Sequence, residues 1–139
     1  MMTVTQLSRH GGIPPHVVRY YTRIGLLEPA RDPNNGYKLY RHVDVDRLRF
    51  IRQAQRLGYT LDEIRRFLQL SSAGQVPCQE VREILRRRID ENNRRIREQV
   101  RLQRRMEQAL RLWEEMPAGV PGSDSVCHLI ESASLLAEA

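Results

Sequence analysis

Two groups of residues in this 139-residue chain have types and spacing that can do chemistry. The first is His16, Arg19, Tyr20, Arg31, Tyr37 and Lys38, gathered in one stretch, His16–Arg41. Arginine, lysine and tyrosine hydrogen-bond phosphate oxygens, and arginine also reads base edges in the DNA major groove. The second group is Cys78 and Cys127, the only two thiols. Thiolates are soft ligands and select soft metal ions. A third donor from His128, Glu115, Met116 or Asp124 would move the preference towards zinc, cadmium or lead. Adjacent residues in a helix point about 100° apart, so adjacency does not by itself bring both Cys127 and His128 to one ion. The thiols also read as small buried hydrophobes or as a redox pair. His10, His16, His42 and His128 show no catalytic or metal-hydrolase spacing, which argues against an enzyme.

The first group needs a helix and a hairpin to hold it. Val17, Val18, Tyr21 and Ile24 recur at near-helical spacing and predict one buried face, leaving Arg19, Tyr20 and Arg23 on the other. Gly25 supplies the helix stop, and Pro29 pushes the residue before it to extended geometry. Asn34-Asn35-Gly36 is a turn signal between Arg31-Asp32 and Tyr37-Lys38-Leu39-Tyr40. A helix followed by a basic, aromatic wing suits the major groove and its adjacent phosphates.

Charge supports the same partner. Residues 1–75 hold 12 Arg or Lys against 6 Asp or Glu, whereas residues 76–139 hold 11 of each. The whole net charge of +6 therefore lies in the half with the helix and wing, which points to a polyanion. Mean hydropathy is -0.57 and no apolar run approaches the ~20 residues of a membrane span. The N-terminus lacks the charged and apolar regions of a signal peptide, so the expected location is the cytoplasm, without a membrane partner.

Around this centre the chain punctuates itself. Thr3 with Gln6 forms a capping box for a helix to about His10, stopped by Gly11-Gly12; Pro14-Pro15 starts the next. Asp44 is the expected N-cap of a third helix through Leu57. Thr60 with Glu63 caps a fourth, Leu61–Leu70, and Ser71–Pro77 reads as a linker. Arg47, Arg49, Arg52, Arg65 and Arg66 read equally as a solvated or ion-paired face. From Pro77 a helix is predicted to about Trp113. Ile89, Asn92, Ile96, Gln99, Gln103, Met106, Leu110 and Trp113 form a seam with polar interruptions. A stripe this long cannot bury itself alone and needs a partner helix. A loop over Met116–Asp124 precedes a short amphipathic helix, Ser125–Leu136, with Glu138 and Ala139 frayed.

The blocks Arg19-Tyr20-Tyr21, Ile24-Gly25-Leu26-Leu27, Gly36-Tyr37-Lys38-Leu39-Tyr40 and Leu48-Arg49-Phe50-Ile51 closely resemble the MerR family of bacterial transcription regulators, from Val4 to about Leu70. The resemblance implies a mainly α fold. It has a winged helix-turn-helix DNA-binding domain (1–75), a long antiparallel coiled-coil dimerisation helix (76–113) and a C-terminal effector loop with a short helix (114–139). The second helix becomes the recognition helix, with His16 in its first turn as either a DNA contact or a solvated surface residue. A second wing implies phosphate contacts from Arg56 and the amides near Thr60. The expected partners are promoter DNA, a second copy of the chain and RNA polymerase.

Cys78 and Cys127 also match two cysteine positions of the family's heavy-metal branch. An antiparallel dimer would bring Cys78 of one subunit near Cys127 of the other, with His128 as a candidate further ligand. The branch's cysteine near the start of the loop is absent: Trp113-Glu114-Glu115-Met116 has no thiol. The implied function is a regulator that senses a soft or borderline metal ion and activates a promoter by distorting its DNA. The alternatives are a response to thiol oxidation or another ligand, and a constitutive architectural DNA-binding dimer.

Overall fold

Thr3 opens the first helix, α1 (Val4–Gly11), through the expected capping box. Its Oγ1 accepts the Gln6 N–H at 3.3 Å, and the Gln6 side-chain oxygen accepts the Thr3 N–H at 2.9 Å. Gly12, in the left-handed conformation at φ 65, ends it. Pro15 starts α2 (Pro15–Arg23), where its missing N–H costs nothing. Gly25, at φ +85, closes α2. The Gly25 N–H donates to Thr22 O at 3.2 Å and the Leu26 N–H to Tyr21 O at 2.9 Å, the paired bonds of a Schellman stop.

The computed structural model describes residues 1–122 and 124–135. The chain divides into two compact units, Met1–Val81 and Arg82–Ala139. In the first unit the wing is an antiparallel pair, β1 (Ala30–Arg31) and β2 (Lys38–Leu39), with Ala30 opposite Leu39 and Arg31 opposite Lys38. Its loop is longer than a two-residue hairpin turn. Asp32 accepts the Gly36 N–H at 2.8 Å, and the Asp32 N–H donates to Tyr37 O at 2.8 Å.

Helix α3 (His42–Arg56) corrects the expected cap. Arg41 is the N-cap and Asp44 lies inside the first turn, where its Oδ2 accepts the Arg41 N–H at 2.8 Å. A carboxylate at the third helical position reaches back to the cap amide, so the helix starts earlier than a capping Asp44 would allow. Helix α4 (Leu61–Ser72) has the expected Thr60–Glu63 box, but it takes in Ser71 and Ser72 and shortens the linker to 73–77. Leu7, Val18, Leu26, Tyr40, Leu48, Ile51 and Ile64 are wholly buried and form the core.

Arginines join these helices. Arg52 Nη1 donates to Gly11 O at 2.7 Å, at the end of α1. Arg65 Nη1 donates to Ile24 O at 3.0 Å, at the end of α2. Both place a cation where unpaired carbonyls and the helix dipole favour one. Arg66 makes a two-pronged bond to Glu80, at 2.9 and 2.7 Å. That hydrogen bond, with the guanidinium charge, holds the Glu80 carboxyl below its ordinary range. Arg49 sits 3.5 Å from Asp46.

Helix α5 (Cys78–Glu114) runs for 37 residues. Along its seam Ile89, Ile96, Met106 and Leu110 are more than half exposed. After the loop, α6 is only His128–Glu131, followed by a 3-10 turn, Ser132–Leu135. The expected helix over Ser125–Leu136 is thus corrected. Cys127 is its extended N-cap at φ -152, ψ 108, and Val126 is fully exposed. The Ser132 hydroxyl donates to Leu129 O at 2.6 Å, a local bond that competes with helix continuation. Leu136, Glu138 and Ala139 lie outside the described residues. Among the described residues, no helix is long and apolar enough to cross a membrane.

Core contacts and buried hydroxyls should respond differently to truncation. Leu48→Ala is expected to lose about 2–5 kcal/mol of stability. Tyr40→Phe should lose about 0.5–1.5 kcal/mol, since the Thr22 hydroxyl it bonds keeps Val18 O as acceptor. Urea unfolding of both variants measures this, and equal losses would contradict the assignment.

Candidate nucleic-acid interface and thiol site

Helix α2 buries Val18 and Tyr21 and leaves Arg19, Tyr20 and His16 on its outer side. The burial follows the expected faces. Tyr20 is 41% exposed, and the Arg23 guanidinium lies over its ring, 5.4 Å from the centroid. This cation–π contact and the neighbouring Tyr21 ring, 6.2 Å away between centroids, orient the phenol. Arg23, expected on this outer face, is thus stacked within the cluster. Its place three residues after Tyr20 was the available signal, but spacing alone does not disclose stacking.

On the wing, Tyr37 is 66% exposed at the loop's end, and its N–H donates to Asn35 Oδ1 at 2.9 Å. Lys38 is half-buried beside it. Arg31 is exposed, but its Nη1 donates to Gly36 O at 3.2 Å, so one prong braces the loop.

The base of the wing is fixed to α2. Tyr40 is fully buried and its O–H donates to Thr22 Oγ1 at 2.7 Å, while Thr22 donates to Val18 O at 2.8 Å. Helix and wing therefore share one rigid support.

Arg56 is the exposed last residue of α3, and Thr60 is exposed at the start of α4. The capping box occupies the Thr60 N–H and the Glu63 N–H. The amides left for a phosphate at this helix start are therefore those of Leu61 and Asp62. Arg47, Arg52 and Arg65 bond backbone carbonyls, which makes them structural.

The thiols fall in different units. Cys78, exposed, is the first residue of α5 in the first unit. Cys127, half-buried, lines a hollow of about 440 Å³ in the second, together with His128 and the loop Ala118–Gly122. Among the described residues, no three His, Cys, Asp or Glu side chains converge on one point.

The comparison with known families decides what these parts are. The model of the MerR HTH family regulatory protein matches residues 2–71, and that of MerR, DNA binding, matches residues 45–109. The chain belongs to the MerR family. It is 36% identical to the HTH-type transcriptional regulator HmrR of Rhizobium leguminosarum bv. viciae, over 76% of this chain and 81% of that one. It is 31% identical to the mercuric resistance operon regulatory protein of Bacillus cereus, over 73% and 76%. Its fold matches a transcription regulator of Ralstonia metallidurans solved in complex with lead(II), with a TM-score of 0.74, 26% identity and coverage of 95% and 98%. MerR-family members are transcriptional regulators, so this chain is a DNA-binding regulator and not an enzyme.

For a MerR-family interface the contacts should separate by role. Lys38→Ala and Tyr37→Ala are expected to weaken operator binding across sequences, and Lys38→Ala should reduce the log-log salt slope by about 1. Arg19→Ala is expected to cost about 1–3 kcal/mol and to relax sequence choice. Gel-shift titrations at several salt concentrations test this; wild-type affinity in all three variants would refute the interface.

Proposed function

We propose that the chain works as a homodimer that holds a soft or borderline metal ion at its dimer interface and activates a promoter by distorting the bound DNA. Residues 1–75 bind DNA, 76–113 pair the subunits, and 114–139 receive the effector. The carrying observation is the exposed seam of α5, with one thiol at the helix start and the other shortly beyond its end. Water-exposed Ile89, Ile96, Met106 and Leu110 favour a second helix. Asn92, Gln99 and Gln103 on the same stripe fix its register. In an antiparallel pair, Cys78 of one subunit approaches Cys127 of the other.

The donors suit a metal. Cys78 is accessible, and Cys127 faces a hollow of about 440 Å³, ample for an ion. Cys78 and Cys127 would hold it as thiolates, and binding would release their protons. The bound ion supplies a cross-link between subunits, and its binding energy biases the placement of the two DNA-binding units. The lead-bound neighbour and the mercuric resistance regulator support metal as the effector class. A further neighbour, 25% identical with a TM-score of 0.63, was solved with DNA in an EcmrR-RPo assembly; it covers 82% of this chain and 40% of that one. It supports RNA polymerase as the partner at the promoter, within the cytoplasm.

Two measurements test this. Ile96→Asp is expected to turn the dimer into a monomer in sedimentation and to weaken binding to a two-half-site operator. A full-length wild type that sediments as a monomer at micromolar concentration refutes the pairing. Cys78→Ser and Cys127→Ser should each abolish metal-dependent transcription while leaving operator binding intact. A mixed dimer with one substitution per subunit should keep one whole site and bind about half the wild-type metal. Metal analysis of purified mixed dimers decides it, and a complete loss would sink the shared site.

A further inference from the structure

The hollow beside Cys127 has a nitrogen in it that the thiol reading does not use. His128 lines the same hollow, and its Nε2 lies 2.9 Å from Pro117 O. A carbonyl only accepts, so in the neutral ring Nε2 carries the proton and Nδ1 carries the lone pair. Histidines that bind metals show this arrangement, with one ring nitrogen donating to a carbonyl and the other on the ion.

The loop approaches that nitrogen closely, through a residue without a side chain. A Cβ on Gly119 would stand 2.9 Å from Nδ1 and 3.4 Å from Cε1, so any side chain at 119 would crowd this edge of the ring. Cys127 is extended, at φ -152 and ψ 108, and only His128 is helical. The 100° divergence of adjacent helical residues therefore does not separate this pair. Glu115, Met116 and Asp124 do not line the hollow.

We propose that His128 Nδ1 is the nitrogen donor that joins Cys78 and Cys127 in the ligand set, in place of the thiol missing from the loop. The proposal rests on the thiol-site reading above. Two thiolates and an imidazole suit a borderline divalent ion such as zinc, cadmium or lead. Mercury(II), content with two thiolates, would gain little from the ring.

Cadmium titration of the reduced full-length dimer, followed by cadmium NMR and thiolate charge-transfer absorption, tests this. His128→Ala is expected to move the cadmium resonance and to lower cadmium affinity by ~10-fold or more. Mercury(II) affinity should stay at the wild-type level. Gly119→Ala keeps the imidazole but crowds Nδ1, and should lower cadmium affinity in the same direction. Added to His128→Ala, it should bring no further loss, because the two act on one contact. Cadmium bound by His128→Ala with wild-type resonance and affinity overturns the nitrogen donor and leaves the two-thiol site standing. No cadmium bound by the wild type overturns both readings together.

Discussion

The DNA-reading surface depends on one buried hydroxyl. Tyr40 has no exposed surface, yet its O–H must be paired, because an orphaned buried donor costs about 1–3 kcal/mol. Thr22 on α2 supplies the acceptor at 2.7 Å. The Tyr40 backbone pairs with Met2, N–H to carbonyl in both directions at 2.7 Å, so Met2 is held there too. One residue thus sets the recognition helix, the wing's base and the N-terminus in a single geometry. Arg19 and Tyr20 on the helix and Tyr37 and Lys38 on the wing, the residues proposed to meet DNA, are joined through this pair.

Arginine serves two roles in this unit, and location separates them. Arg52 and Arg65 have guanidinium groups on the carbonyls that end α1 and α2, and they stiffen the helix-turn-helix from behind. Arg19 and Arg23 stand on the outer side of α2, where Arg23 shelves the Tyr20 ring. The localised +6 is therefore not a uniform coat: part of it closes helix ends, and part faces outward.

Helix α5 imposes a different constraint. Its apolar stripe is exposed over residues that a soluble helix would cover, and its neighbours on the stripe are amides able to pair. Such a stripe has a use only against another helix. The loop beyond it lacks the thiol of the metal-sensing pattern, and the ring of His128 is tied to Pro117 O in the hollow that Cys127 lines.

The sequence by itself determined the local starts and stops, because capping and turn chemistry act between residues a few positions apart. Thr3 with Gln6, Thr60 with Glu63 and Gly25 after α2 each do so. It also carried the family, through Arg-Tyr-Tyr, the Gly-Tyr-Lys-Leu-Tyr wing and their spacing. The tertiary structure decided what distance in sequence hides. Asp44 moved from cap to first turn because the chain entering from the wing let Arg41 take the cap. Arg52 and Arg65 proved structural because their acceptors lie 41 residues away. The Ser125–Leu136 periodicity gave way to a short α6 that begins only after the extended Cys127 and passes into a 3-10 turn at Ser132. Side chains that reach carbonyls far along the chain leave no periodic trace, so only the folded backbone shows which arginines, and which ring nitrogen of His128, are already engaged.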